Sequence, residues 1–330
     1  MAFRGRHILL EERPMLRCAL LGCGVVILGM ASSAKAAVFE VGPGRTYTTI
    51  QAAVNAAAAL DSPSATHNTG QADPVQIIID GGTYAETITI PADAAVAFNG
   101  ANDGWTIKNR ANERVLLQGK ITVMNDRDHL TFDGINIRAT LSRAMELNQT
   151  VRNLTIRNAF IIGAVNPSAD LNTSGIWANR AFGGNALDHV TIVDNQGAGV
   201  FARDNSHFNI TNSIIAFNPQ IGYKHTNNTN TANISTSLFF GNSPNFDDPN
   251  NRIAFGSGNV FSDPMFVSLD PNHPHFLWLA EGSPASGTAT TANSSGEFNM
   301  GAMPTLVPEP ASLSLLALGV LLVTGRRRWS

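Results

Sequence analysis

Four side chains near the middle of the chain could do chemistry together: Arg203, Asp204, Lys224 and His225. A guanidinium, an ammonium, an imidazole and a carboxylate are groups that hold charge and move protons. They come together if the chain winds so that Trp177, Phe201 and Tyr223 stand in register. Asn179, Arg203 and His225 then align, with Arg180, Asp204 and Thr226 one step on and Lys224 one step before. Matched positions on neighbouring strands lie about 4.8 Å apart. One patch would then hold Arg203 and Lys224 as candidate catalytic groups, with Asn179, Asp204 and His225 as candidate substrate-binding groups of a carbohydrate site. Asp170 and Asp194 are the weak candidates for holding a cation beside it. A plainer reading stands alongside and is preferred: outward polar residues occur on any half-buried strand, and the three aromatics could simply stack in a core.

Other chemistry is excluded more directly. His129, His189 and His207 recur near strand starts and lack a metal-ligand spacing such as H-E-x-x-H, so no zinc site is expected. A glycosidase needs two carboxylates about 5–9.5 Å apart. Asp247-Asp248 is adjacent in sequence, in an Asn- and Pro-rich stretch that reads as a turn.

The elements that must position these groups are short and repeated. Phe208-Asn209-Ile210-Thr211-Asn212-Ser213-Ile214-Ile215 precedes Ala232-Asn233-Ile234-Ser235-Thr236-Ser237-Leu238-Phe239 by 24 residues. His129-Leu130-Thr131-Phe132 precedes Asn153-Leu154-Thr155-Ile156 by the same 24. A second column repeats Gly175-Ile176-Trp177-Ala178 as Gly199-Val200-Phe201-Ala202, with Gly222-Tyr223 as its next member. Alternating apolar pairs read as strands with one buried face. Asn and Gly fill the gaps, where left-handed turn positions are needed. Such a strand cannot cover its own face, whereas coils of about 18–25 residues stacked in register share one core. The fold class is therefore all-β, a parallel β-solenoid. Asn209/Asn233 and Asn218/Asn242 are expected to stack as amide ladders.

The body begins with Thr48-Thr49-Ile50-Gln51-Ala52-Ala53-Val54, a capping box followed by an apolar face, which predicts a capping helix over 48–60. Tyr47, this segment, and Gly82-Thr83-Tyr84-Ala85-Glu86-Thr87-Ile88 together resemble the start of right-handed parallel β-helix proteins of the pectin lyase-like superfamily. Asp263-Pro264-Met265-Phe266, Gly282-Ser283-Pro284-Ala285 and Gly301-Ala302 resemble their closing segment. The resemblance implies a β-helix domain over 37–302 and leaves function open, because that scaffold carries many activities. Its methylesterases place catalytic aspartates in Gln-Asp strands, absent here, so that activity is rejected and Tyr84 and Glu86 are read as turn and packing residues. Its lyases need a Lys or Arg base near the sugar C5 proton and often Ca²⁺ to neutralise the uronate. Two readings follow: a non-catalytic, polysaccharide-binding or structural surface protein, or, as the alternative, a secreted polysaccharide lyase acting on a uronate polymer by β-elimination. The first needs no cofactor; the second would call on Ca²⁺.

Both ends read as addresses. Leu16 to Met30 is apolar, follows Arg13 and Arg17, and runs into Ala34-Lys35-Ala36, which makes 1–36 a secretory signal peptide; Met15 is an alternative start. The two cysteines, Cys18 and Cys23, lie inside it, so the mature body has no thiol chemistry. At the other end, 303–330 holds Pro308-Glu309-Pro310, an apolar run over 311–325 read as a short transmembrane segment, and Arg326-Arg327-Arg328. This order of parts resembles the PEP-CTERM sorting signal. The resemblance implies export by the Sec pathway, a transient inner-membrane tether, removal of the tail by an exosortase, and delivery to the cell surface or extracellular matrix of a biofilm. Residues 37–307 hold 14 basic against 22 acidic side chains, a net of −8. Such a body does not suit nucleic acid, which needs basic patches; polysaccharide is the expected partner.

Overall fold

A computed structural model describes residues 36–60, 75–92, 104–166, 170, 172–226, 229 and 231–305. Residues 1–35 of the expected signal peptide and the sorting tail from 306 onward, including the expected terminal helices, lie outside the described residues; no described helix is long and apolar enough to cross a membrane.

The described chain is a parallel β-helix. Each inner coil contributes a strand to each of three faces, and every ladder between coils is parallel. On the first face Ala37–Val41, Val75–Ile79, Trp105–Asn109 and Leu130–Asp133 lead through Thr155–Ile162 and Asn185–Val193 to His207–Thr211, Thr231–Ser235 and Ile253–Phe255. The second face joins Gly82–Tyr84, Val115–Gln118 and Ile135–Arg138 to the far halves of Thr155–Ile162 and Asn185–Val193, then to Ile214–Ala216 and Leu238–Phe240. The third face is a separate seven-stranded sheet running from Ile88–Ile90 through Ser174–Asn179, Ala198–Arg203 and Ile221–His225 to Phe246–Asp247.

Corners between faces need left-handed backbone, and the sequence supplies it one residue per coil. Between the first and second faces, Gly134, Asn158, His189, Asn212 and Thr236 follow paired strand ends, all at positive φ. Between the second and third, Gly163, Asp194, Phe217 and Gly241 do the same. Asp194 is thus a corner residue, and burial pushes its carboxyl up.

One residue after that corner stands the amide ladder. Asn242 Oδ1 accepts from Asn218 N and Nδ2, and Asn218 Oδ1 accepts from Asn195 N and Nδ2, at 2.9–3.1 Å. Their remaining amide hydrogens reach strand carbonyls of Ile161, Ile192 and Ile215. Buried backbone groups at the tight turn are satisfied coil to coil in this way. Asn233 Nδ2 likewise donates to Asn209 Oδ1 at 2.8 Å on the first face.

The N-terminal end is closed by a helix, α1 (Ile50–Leu60), whose Ile50, Ala53, Val54 and Ala57 are buried against the core. Its start differs from the expected capping box. Thr49 Oγ1 accepts from Ala52 N, while the Glu86 carboxylate accepts from Ile50 N at 2.8 Å and Gln51 N at 3.0 Å. Gln51 turns away to pair with the Thr89 backbone. An acid from the first coil therefore satisfies the helix's orphan donors and meets its positive end.

The outer side of the second face is apolar and covered. Phe160, Ile162, Val193, Ile214 and Leu238 pack beneath Phe276, Leu277, Leu279, Ala285 and Met300 of the closing segment, and Phe160 meets Phe276 edge-on at 5.4 Å. The first and third faces are left to present side chains outward.

Candidate functional site

The third face carries the residues singled out from sequence, in a register one step different from the expected one. Ile176 pairs with Val200, Trp177 with Phe201, and Asn179 with Arg203, as anticipated. The next coil is shifted: Phe201 pairs with Lys224 and Ala202 with His225, and Tyr223 stands opposite Val200. Because side chains alternate with period two, a one-residue slip exchanges the faces. Tyr223 and His225 point inward and are fully buried, while Lys224 points outward.

The outward column thus reads Thr89, Thr122, Glu146, Trp177, Phe201, Lys224, Asp247. Its charges are matched among themselves. Glu146 takes Lys120 on one oxygen and Arg143 at 2.7 Å on the other, and Lys224 is held by Asp247. Arg143 lies 3.9 Å over the Trp177 ring and Arg203 lies 5.7 Å from it, close enough for cation–π attraction. Trp177 and Phe201 are only 7% and 6% exposed, so neither offers a flat platform to a sugar. Trp177 Nε1 donates to Asn172 Oδ1 at 3.3 Å.

His225 is removed from the patch. Its Nε2 lies 2.5 Å from Asp248 Oδ1, inside the wall. Asp248 also receives the N–H groups of Arg252 and Ile253. Burial pushes its carboxyl up, but these N–H groups and His225 outweigh that and hold it below the usual carboxylate range. Tyr223 and His225 are the polar members of two inward columns that are otherwise apolar: Ile88, Ile121, Met145, Ile176, Val200, Tyr223, Phe246 and Ile90, Val123, Leu147, Ala178, Ala202, His225. The Tyr223 hydroxyl and His225 Nδ1 are buried without a partner among the described residues, and burial raises the tyrosine's pKa.

Asp204 follows Arg203 at a left-handed position, φ 34°. Asp170 Oδ1 closes a local turn with Asn172 N. Neither Asp170 nor Asp194 joins a metal cluster: among the described residues no group of three or more acidic, histidine or cysteine side chains is assembled.

An open groove lies on the first face. It has a volume of about 400 Å³ and is lined by Gly104, Thr106, His129, Thr131, Asn153, Thr155 and Gly184. These seven are two columns. Gly104, His129 and Gly184 precede their strands by one residue and Asn153 by two, the last three of the column at positive φ. Thr106, Thr131 and Thr155 stand in register two residues further on, pointing outward. Asp128 fixes the rim: its Oδ1 accepts from Asn153 Nδ2 at 2.8 Å and lies 3.2 Å from His129 Nδ1. Asn153 Nδ2 also sits 3.2 Å from His129 Nε2. The glycines at both ends of the corner column let the neighbouring coil approach closely: a Cβ on Gly104 would lie 2.8 Å from His129 O and one on Gly184 closer still to Asn153 Oδ1. The signal for this site was visible as the matching His-Leu-Thr-Phe and Asn-Leu-Thr-Ile segments; neutral side chains drew no attention as chemistry.

Residues 306–328 match the family described as the PEP-CTERM protein-sorting motif. No curated protein matches the chain. Among solved structures it is similar to the pectate lyase Pel9A, at 14% identity and a TM-score of 0.45 over 82% of this chain and 97% of that one. A pectin methylesterase from Aspergillus niger matches at 15% identity and 0.42, covering 70% of this chain and 87% of its own. An alginate lyase of the PL6 family matches at 14% and 0.38, over 61% and 37%. These likenesses carry no residue or reaction across. The chain is a parallel β-helix that ends in a PEP-CTERM protein-sorting motif, the mark of an exported protein processed by an exosortase.

Proposed function

We propose that this protein is a surface-displayed scaffold that binds polysaccharide in the first-face groove and does not cleave it. The observation that carries the reading is the groove's lining: hydroxyl, amide and imidazole groups in coil register, with no lysine or arginine among them. Such groups hold a sugar chain by hydrogen bonds. They include neither the lysine nor the arginine base that the lyase alternative calls for. Support also comes from the third face, where Lys224 is tied to Asp247 and His225 is enclosed. In this reading the Sec pathway exports the chain, the tail tethers it briefly to the inner membrane, and an exosortase releases it to the cell surface or the extracellular matrix of a biofilm. The acidic body excludes nucleic acid as a partner, and binding needs no cofactor.

The test combines retention of the purified body on immobilised polysaccharides with an assay for unsaturated sugar products on a panel of uronate polymers with Ca²⁺. Retention without product is the expected result. Product that disappears in Arg203→Ala or Lys224→Ala would establish a lyase and overturn the reading.

A further inference from the structure

The groove's chemistry also says what kind of polysaccharide it takes. We infer that the first-face groove is selective for an uncharged glycan lying along the solenoid axis, an inference that rests on the binding function proposed above.

Three observations carry it. The outward column that contains the groove reads Gln76, Thr106, Thr131, Thr155, Ala186, Asn209, Asn233, with no charge over seven coils. Thr106, Thr131 and Thr155 make no side-chain hydrogen bond with any described residue. Each hydroxyl can donate and accept, so it can match a sugar hydroxyl in either sense. The coil step of about 4.8 Å is comparable to the length of a sugar ring, which lets successive rings meet successive coils.

The charges flanking the groove reject a polyanion. The next outward column reads Lys108, Asp133, Arg157, Asp188 in register, and its cations face carboxylates on the neighbouring coil. Arg157 lies 2.8 Å from Asp133. The remaining rim charge is Asp128, which is negative and already engaged with Asn153 and His129. A uronate chain would find no cation in the groove's lining and would meet an acidic body, a net of −8 over 37–307. Electrostatic repulsion then opposes binding instead of steering it. A neutral chain pays no such penalty, and the polar columns satisfy its hydroxyls.

The experiment is affinity electrophoresis of the purified protein through gels containing a neutral β-glucan, a neutral mannan or polygalacturonate, each at low and high salt. Retardation by a neutral polymer, unchanged by salt and absent with polygalacturonate, is expected. Thr131→Val keeps the branched shape and removes one hydroxyl; it should weaken that retardation about tenfold, the effect of a hydrogen-bond loss near 1.4 kcal/mol. Selective, salt-sensitive retardation by polygalacturonate overturns the inference while leaving polysaccharide binding intact. Neutral binding that Thr131→Val leaves unchanged and Lys224→Ala abolishes overturns the assignment to this groove. No retardation by any of the three, from protein whose circular dichroism shows it folded, overturns both the inference and the binding function.

Discussion

Lys224 and His225 are neighbours in the chain and stand on opposite sides of the solenoid wall. The ammonium meets Asp247 outside and the imidazole meets Asp248 inside. The carboxylates are themselves adjacent, so one two-residue step on each of two coils makes an ion pair on one side of the sheet and an imidazole–carboxylate contact on the other. The two contacts differ in what they do for the protein, since one is partly solvated and the other is enclosed.

Removing the inner contact should cost far more than removing the outer one. His225→Ala leaves a cavity and takes a hydrogen bond from Asp248, with an expected loss of about 1–3 kcal/mol. Lys224→Ala removes a surface-type pair and should change stability by less than about 1 kcal/mol. Urea unfolding midpoints of the two variants check the order; equal losses would contradict the inward placement of His225.

Tyr223→Phe removes a buried hydroxyl that has no described partner. The ring stays and the desolvation cost of the oxygen goes, so thermal stability should be unchanged or raised. A fall in the melting temperature would show that the hydroxyl is bonded in solution.

Acid should loosen the last coils. Asp248 has a folded pKa below its unfolded value, because the bonds from Arg252, Ile253 and His225 outweigh burial. Its contribution is present above the ordinary carboxylate pKa of 3.8 and is lost as pH falls through the lower folded value. Melting temperatures measured through that acidic range should fall more steeply for the parent than for Asp248→Asn.

Glu86→Gln keeps the length of the side chain that caps α1 and removes its charge. The expected cost is about 0.5–1 kcal/mol, from weaker bonds to Ile50 N and Gln51 N and loss of the dipole interaction. Glu86→Ala should cost about twice that. Amide exchange at Ile50 and Gln51 reads the effect locally.

The fold was legible because its periodicity is strong: apolar pairs, corner residues tolerant of positive φ, and asparagines in ladder phase all recur at the coil length. The register of one coil was not. Trp177, Phe201 and Tyr223 suggested an aromatic column, but the true markers are Gly175, Gly199 and Gly222. A Cβ on Gly199 would come within 2.7 Å of Gly222 O and 3.0 Å of Asn218 Nδ2, and one on Gly222 within 2.9 Å of Asn242 Nδ2. The amide ladder leaves room only for glycine beside it, so glycine fixes the phase while aromatic size does not. That single step moved His225 from the candidate site to the interior and separated Tyr223, which faces inward, from Trp177 and Phe201, which do not. The groove escaped notice for a different reason: threonine and asparagine become a site only by repetition in space, and their residue types alone give no hint of it.

The closing segment also settles how the body meets mechanical load. Gly301 N donates to Asn212 O, Ala302 N to Thr191 Oγ1 and Ser294 N to Asn158 Oδ1, tying the strap to three coils, and Thr305 bridges to Leu279. The sorting motif begins one residue later. Load applied at the tail therefore meets bonds within the closing segment and, through it, bonds to three coils. Cutting the chain beyond Thr305 removes the sorting motif and leaves every one of those bonds in place.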